Sequence, residues 1–151
     1  RGSGRVFLVR DRLGIKPLYY TEGPGYFRFA STLPALLAGG GVDTSIDSVA
    51  LHHYFSFHAA VPPPRTILNG VKKLAPGTWL KIEPDGAKTT KRYWSFSVGE
   101  RGTDRRLTEA EWTESVADAM KTAVDRRRVS DVPVGVLLSG GLDSSLIVAL
   151  G

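Results

Sequence analysis

The stretch from Val132 to Gly151, "VPVGVLLSGGLDSSLIVALG", restricts the possible folds more than any other part of the chain. An apolar run, Val134–Leu138, leads into a glycine-rich turn and then a helix start, the order expected of an α/β unit. Such a turn suits phosphate on physical grounds. Free N–H groups at a helix N-terminus point outward, and the helix dipole adds partial positive charge there. Gly140 and Gly141 let backbone approach an anion with no Cβ in the way, and Ser139, Ser144 and Ser145 supply hydroxyls. Asp143 would repel a bare phosphate, so its presence asks for a cation. Mg²⁺ shared between Asp143 and phosphate oxygens meets that need. The chain closes about two turns into this helix, and the expectation is a piece of a longer enzyme.

Three better-known turns do not fit these residues. The nucleotide P-loop needs a lysine before its last Ser/Thr, and none stands here. The hydrolase elbow needs glycine two residues before its serine, where Leu137 stands. The G-x-G-x-x-G spacing of dinucleotide folds is absent.

Upstream, "RVFLVR" (Arg5–Arg10) reads as a strand with apolar residues on both faces, and so as one buried between layers. Gly14 and Pro17 punctuate the next connection, Leu18–Thr21 and Tyr26–Ala30 read as strands, and the three together predict a β-meander. Ser31 is expected to cap a short helix over Thr32–Ala38, and Asp47 another over Ser48–Phe55. A hairpin is predicted from Trp79–Ile82 and Lys88–Trp94 about the "PDG" turn at Pro84–Gly86. The polar residues 95–106 read as a linker. Beyond it, Thr108 and Glu111 have the spacing of a capping box, with Leu107 and Trp112 as its staple. Trp112, Val116, Ala119, Met120, Ala123 and Val124 recur at helical spacing and are expected to form a buried face.

Composition narrows the function classes. The chain has no cysteine, which excludes disulfides, thiolate metal sites and a cysteine nucleophile from these 151 residues. No run approaches the ~20 apolar residues of a membrane span, and no signal segment opens the chain. The cytoplasm is therefore the expected location. The net charge is +5, but the basic residues are scattered. Their one run, Arg126–Arg128, falls where a helix C-terminus favours cations, so no nucleic-acid partner is expected. His52 and His53 are neighbours and diverge by about 100° on a helix, so with His58 they are read as ordinary histidines rather than metal ligands. Arg10 and Asp11 are expected to pair and close the end of the sheet domain.

"SGGLDSS" (Ser139–Ser145) resembles the pyrophosphate-binding loop of ATP pyrophosphatases, and "SDVPVGVLLSGGLDSSL" (Ser130–Leu146) is similar to the glutamine-dependent asparagine synthetases. "RDRLGIKPLYY" (Arg10–Tyr20), "FAS" (Phe29–Ser31), "ALLAGG" (Ala35–Gly40), "GVKKLAPGTWLKIEPDG" (Gly70–Gly86) and "YW" (Tyr93–Trp94) resemble the same family in order along the chain. "LHHYFSFHAAVPPPRTILNGVKKL" (Leu51–Leu74) looks most like its N-acetylglutaminylglutamine amidotransferase branch.

The resemblance implies a mixed α/β and α+β chain. Residues 1–94 would be the later part of a class II glutaminase-type, β-rich domain with an interdomain hairpin. Residues 107–151 would begin an α/β adenine-nucleotide-hydrolase-like synthetase domain. The family hydrolyses glutamine with an N-terminal cysteine nucleophile, which has no counterpart here, so no catalytic residue is assigned and this stretch alone is expected to be inactive. The family's synthetase half adenylates a carboxylate with ATP and Mg²⁺ and amidates it with ammonia. Carried onto this chain, Leu138 would lie against adenosine, and Ser139, Gly140, Gly141, Leu142, Asp143, Ser144 and Ser145 would surround pyrophosphate, with Asp143 toward Mg²⁺. Glutamine, ATP and an acceptor carboxylate are the implied substrates; a homodimer is allowed for. An RNA-modifying ATP pyrophosphatase, or a module using the loop only structurally, are the competing readings. The first would need a clustered basic face.

Overall fold

The computed structural model of the chain describes residues 2–97 and 107–151. Contacts divide the chain into two compact units, Arg1–Val98 and Gly99–Gly151. The predicted linker, 95–106, lies outside the described residues from 98 onward.

The first unit holds two three-stranded antiparallel sheets. In one, β5 (Thr78–Ile82) lies between β1 (Val6–Val9) and β6 (Lys88–Arg92). In the other, β2 (Tyr19–Gly23) lies between β3 (Tyr26–Ala30) and β4 (Lys72–Lys73). Leu8 of β1 stands opposite Leu80 of β5, and with Leu74 they form the buried core, joined by Leu18, Phe27 and Ile82. Each such leucine contributes roughly 1.5–3 kcal/mol by leaving water. Helix α1 (Leu33–Leu37) packs on β2 and β3 and buries Leu36. Phe7 and Val9, on the other face of β1 from Leu8, stay exposed, with Phe7 edge-on to Trp79.

Three expectations are corrected here. The meander does not form, because β1 pairs with β5, some seventy residues on, while β2 and β3 pair in the second sheet. The cause lies in the connection: Asp11 accepts from the N–H groups of Leu13, Ile15 and Lys16, so the chain coils after β1 instead of reversing into a hairpin. Nor is β1 buried between layers; only Leu8 is buried. The cap of α1 is Thr32, not Ser31; its side chain makes no capping bond, and Pro34 near the helix start already lacks an N–H to satisfy.

Local signals held where the chemistry is local. Asp47 caps α2 (Ser48–Ser56), accepting from the N–H groups of Val49 and Ala50. The hairpin of β5 and β6 forms about the predicted turn, with Ile82 opposite Lys88 and the returning strand ending at Arg92 rather than Trp94, and the Asp85 carboxylate accepts from Ala87 N–H in the turn. It is not peripheral to the first unit, since β5 is the middle strand of its sheet.

In the second unit, α3 (Glu109–Arg127) starts with the full capping box: Thr108 accepts from Glu111 N–H, and Glu111 accepts from Thr108 N–H. Arg126 and Arg127 occupy its last turn, as the dipole favours. Helix α4 (Leu142–Leu150) packs against α3. Two expectations fail in this unit. Residues 134–138 form no strand, because a strand requires a hydrogen-bonded neighbour and none of the described residues supplies one. The apolar face of α3 is not buried: Trp112 and Val116 are exposed, and only Met120 and Val124 are partly covered, because α4 is short.

Candidate functional site

The turn at Ser139–Gly141 joins residues 133–138, which take no regular secondary structure, to α4, and Leu142–Ser145 form that helix's first turn. Gly140 sits at φ +81°, a left-handed conformation open to glycine and strained for other residues. A Cβ built on Gly140 would meet nothing within 4 Å, so backbone conformation rather than crowding demands glycine there. Gly141, at φ −79°, is the N-cap of α4 and offers no side-chain acceptor to the helix's first N–H groups. By contrast, α2 and α3 are closed by Asp47 and Thr108. The N-terminus of α4 is thus open toward solvent.

The three serines arrange the turn. Ser139 Oγ and Ser144 Oγ lie 3.0 Å apart, and Gly141 N–H donates to Ser139 Oγ at 3.4 Å. The Ser144 and Ser145 hydroxyls donate to the Gly141 carbonyl at 3.1 and 2.8 Å. These hydroxyls tie the loop to the helix, an inward use that the sequence pattern does not reveal. What remains directed outward is backbone N–H and the positive end of the dipole.

Asp143 stands in the first turn of α4, where a carboxylate complements the dipole. That is a reason for its presence beyond a cation. Among the described residues, no group of three or more His, Asp or Glu could hold a metal ion. A Mg²⁺ at Asp143 would therefore take its other ligands from phosphate and water, which is how Mg²⁺ usually binds. Leu138 and Leu142 are exposed. Leu138 also lines an apolar groove of about 830 Å³ formed with Met120, Val124, Val136, Ile147 and Val148. The eight residues Leu138 to Ser145 thus run consecutively through this turn into the first turn of α4, all exposed but the half-buried Ser144.

The other singled-out residues hold the first unit together. Arg10 and Asp11 do not pair. The Arg10 guanidinium donates to the carbonyls of Lys16, Gly14 and Leu74, at 3.1, 2.9 and 2.5 Å. Asp11 takes backbone N–H groups, and the one from Ile15 leads in holding its carboxyl below the ordinary range. Adjacent charges of opposite sign suggested a pair, but backbone partners lie nearer to each. His52 and His53 rings stand 6.2 Å apart, tilted by 50°, and His53 packs on Phe57. Glu22 was not singled out by the sequence. It bridges Lys72 of β4 and Lys88 of β6, and so ties the two sheets together.

Residues 1–94 match the model of the glutamine amidotransferase domain, and residues 115–151 match that of asparagine synthase. Over 145 residues the chain is 42% identical to asparagine synthetase (glutamine-hydrolysing) 1 of Bacillus subtilis, covering 96% of this chain and 22% of that protein. Asparagine synthetase 3 of the same organism is 37% identical over 145 residues, covering 96% and 23%. A putative asparagine synthetase of Methanocaldococcus jannaschii is 35% identical over 151 residues, covering 98% and 28%. The chain thus spans about a quarter of the length of these relatives.

Proposed function

The chain belongs to the glutamine-dependent asparagine synthetase family, and from that premise we propose that its second unit supplies the ATP-pyrophosphate loop of a carboxylate-amidating ligase. The observation that carries this reading is the uncapped N-terminus of α4 behind Gly140 and Gly141, where α2 and α3 each have an N-terminus closed by a side chain. A carboxylate is a poor electrophile until one oxygen becomes a good leaving group, which adenylation provides. The chain's own part is electrostatic. The first-turn N–H groups of α4 would hold the departing pyrophosphate, where charge develops. Ser139, Ser144 and Ser145 fix that turn before the anion arrives. Bound Mg²⁺ would neutralise phosphate charge, with Asp143 as its protein ligand.

In this reading residues 1–94 belong to the glutaminase-type domain, residues 95–106 to the linker and residues 107–151 to the beginning of the synthetase domain, all acting in the cytoplasm. Glutamine supplies the ammonia. The resemblance of Leu51–Leu74 favours a dipeptide such as N-acetylglutaminylglutamine as the acceptor, and the relatives' names favour the precursor of asparagine. The test is pyrophosphate release from Mg·ATP with ammonia, measured on the full enzyme against each acceptor in parallel. Release stimulated by an acceptor is expected. Nucleotide that binds equally well after the turn is disrupted would refute the assignment.

A further inference from the structure

Asn69 is the only asparagine in a chain without glutamine, and it stands directly before Gly70. Both residues are demanded by one seam. Asn69 N–H donates to the Ser45 carbonyl and Gly70 N–H to the Asp43 carbonyl, each at 3.0 Å. Asn69 Nδ2 donates to Ser45 Oγ at 3.0 Å and to the Ile46 carbonyl at 3.3 Å. A Cβ on Gly70 would lie 2.6 Å from the Asp43 oxygen and 2.7 Å from its nitrogen, so no larger residue fits. The seam continues through the Ile46–Leu68 bridge and the bond from Asp47 N–H to the Ile67 carbonyl, at the residue that caps α2.

We propose that Asn69–Gly70 is a spontaneous deamidation site that the seam holds shut, so that its modification records each opening of residues 43–47 away from 66–72. The fold's need for a side-chain amide followed by a residue without Cβ creates the dipeptide least hindered for this reaction. Gly70 nitrogen attacks Asn69 Cγ; the N–Cγ bond forms and the Cγ–Nδ2 bond breaks. The proton lost from Gly70 leaves with Nδ2 as ammonia. Water then opens the cyclic imide at either carbonyl, giving an aspartyl or isoaspartyl residue. While the seam is closed, the nucleophile's N–H is bonded to Asp43, and the Asn69 side chain is pinned to Ser45 and Ile46. Once converted, the new carboxylate oxygen would face the Ile46 carbonyl, acceptor against acceptor, and the seam would reclose poorly.

The test incubates the full protein in mildly alkaline buffer, native and in urea, and follows the mass and isoaspartate content of the peptide that carries Asn69–Gly70. Asn69 is the only side-chain amide in these 151 residues, so replacement of NH₂ by OH in that peptide reports Asn69 alone. Conversion should be slower in the native chain by about tenfold or more, because opening must precede attack. Ser45→Ala removes the hydroxyl acceptor and should raise the native rate without changing the rate in urea. Equal native and unfolded rates would overturn the proposal. So would absence of conversion in urea, or a native rate unmoved by Ser45→Ala.

Discussion

Arg10, just past the end of β1, donates from its guanidinium to the carbonyl of Leu74, just past β4, and so fastens one sheet to the loop that leaves the other. The same guanidinium reaches the carbonyls of Gly14 and Lys16 on its own connection. One planar group thereby satisfies three backbone acceptors, and Tyr93 closes over the site by donating its hydroxyl to the Arg10 carbonyl at 2.7 Å.

Lysine cannot reproduce that fork. Arg10→Lys keeps the charge but places one point donor among three carbonyls. The loss should be about 2–3 kcal/mol, the scale of a partly buried charged hydrogen bond plus acceptors left unsatisfied. Urea unfolding of the two proteins measures it. A midpoint unchanged by Arg10→Lys would show that water replaces the guanidinium without penalty.

Acid should loosen the link between the sheets through Glu22. Hydrogen bonds from Lys72 and then Lys88 hold its carboxyl below the ordinary 4.5. A carboxyl whose folded value is depressed binds its proton more readily in the unfolded chain. Its stabilisation is therefore full above the ordinary value and is lost as pH falls through the folded one. Asp11, Asp43, Asp47 and Glu83 are depressed too and add to the same acid limb. Glu22→Gln should therefore flatten the limb below the ordinary value without abolishing it. An identical pH profile for both proteins would rule out the bridge as a contributor.

The end of α2 carries two residues in the left-handed region, His58 at φ +48° and Ala59 at φ +66°. Ala59 N–H donates to the Tyr54 carbonyl at 2.8 Å, which fixes this turn. Ala59→Gly relieves roughly 1–2 kcal/mol of left-handed strain and gives back part of it as chain entropy. A net stabilisation of about 0.5–1 kcal/mol is expected in urea unfolding. A destabilised variant would mean that the Ala59 methyl packs usefully.

How much of this was legible from residues alone depends on the range of the interaction. The Asp47 cap, the Thr108–Glu111 box and the β5–β6 hairpin each rest on atoms a few residues apart, and the residue types that make them are chemically specific. Pairing of β1 with β5 spans the unit, and an apolar strand such as "VFLV" does not encode its neighbour. The same limit explains residues 134–138: their pattern is strand-like, but a strand exists only with a partner. The turn at Ser139–Ser145 was legible as a loop because glycine and serine mark it. The inward bonding of its hydroxyls was not, since a hydroxyl's partner is set by three-dimensional geometry.

The two glycines of that turn should fail differently when replaced in the full enzyme. Gly140 has room for a side chain but not the right dihedral, so Gly140→Val strains the entry to α4 by ~1–2 kcal/mol or more, valine being β-branched. Gly141 has an ordinary dihedral, and a Cβ there would lie 3.5 Å from Ser139 Oγ, an ordinary contact. Gly141→Ala should therefore fold normally and act only by standing where an anion would approach the first-turn N–H groups. Both variants should lose ATP-dependent pyrophosphate release while glutamine hydrolysis stays near its starting rate, and only Gly140→Val should also lower the unfolding midpoint. Asp143→Asn separates the cation from the loop: nucleotide should still bind while release slows, with the deficit partly recovered at high Mg²⁺. If glutamine hydrolysis fell in step with pyrophosphate release, misfolding would be the cause. If release persisted in Gly141→Ala, the open end of α4 would not be where the phosphates sit.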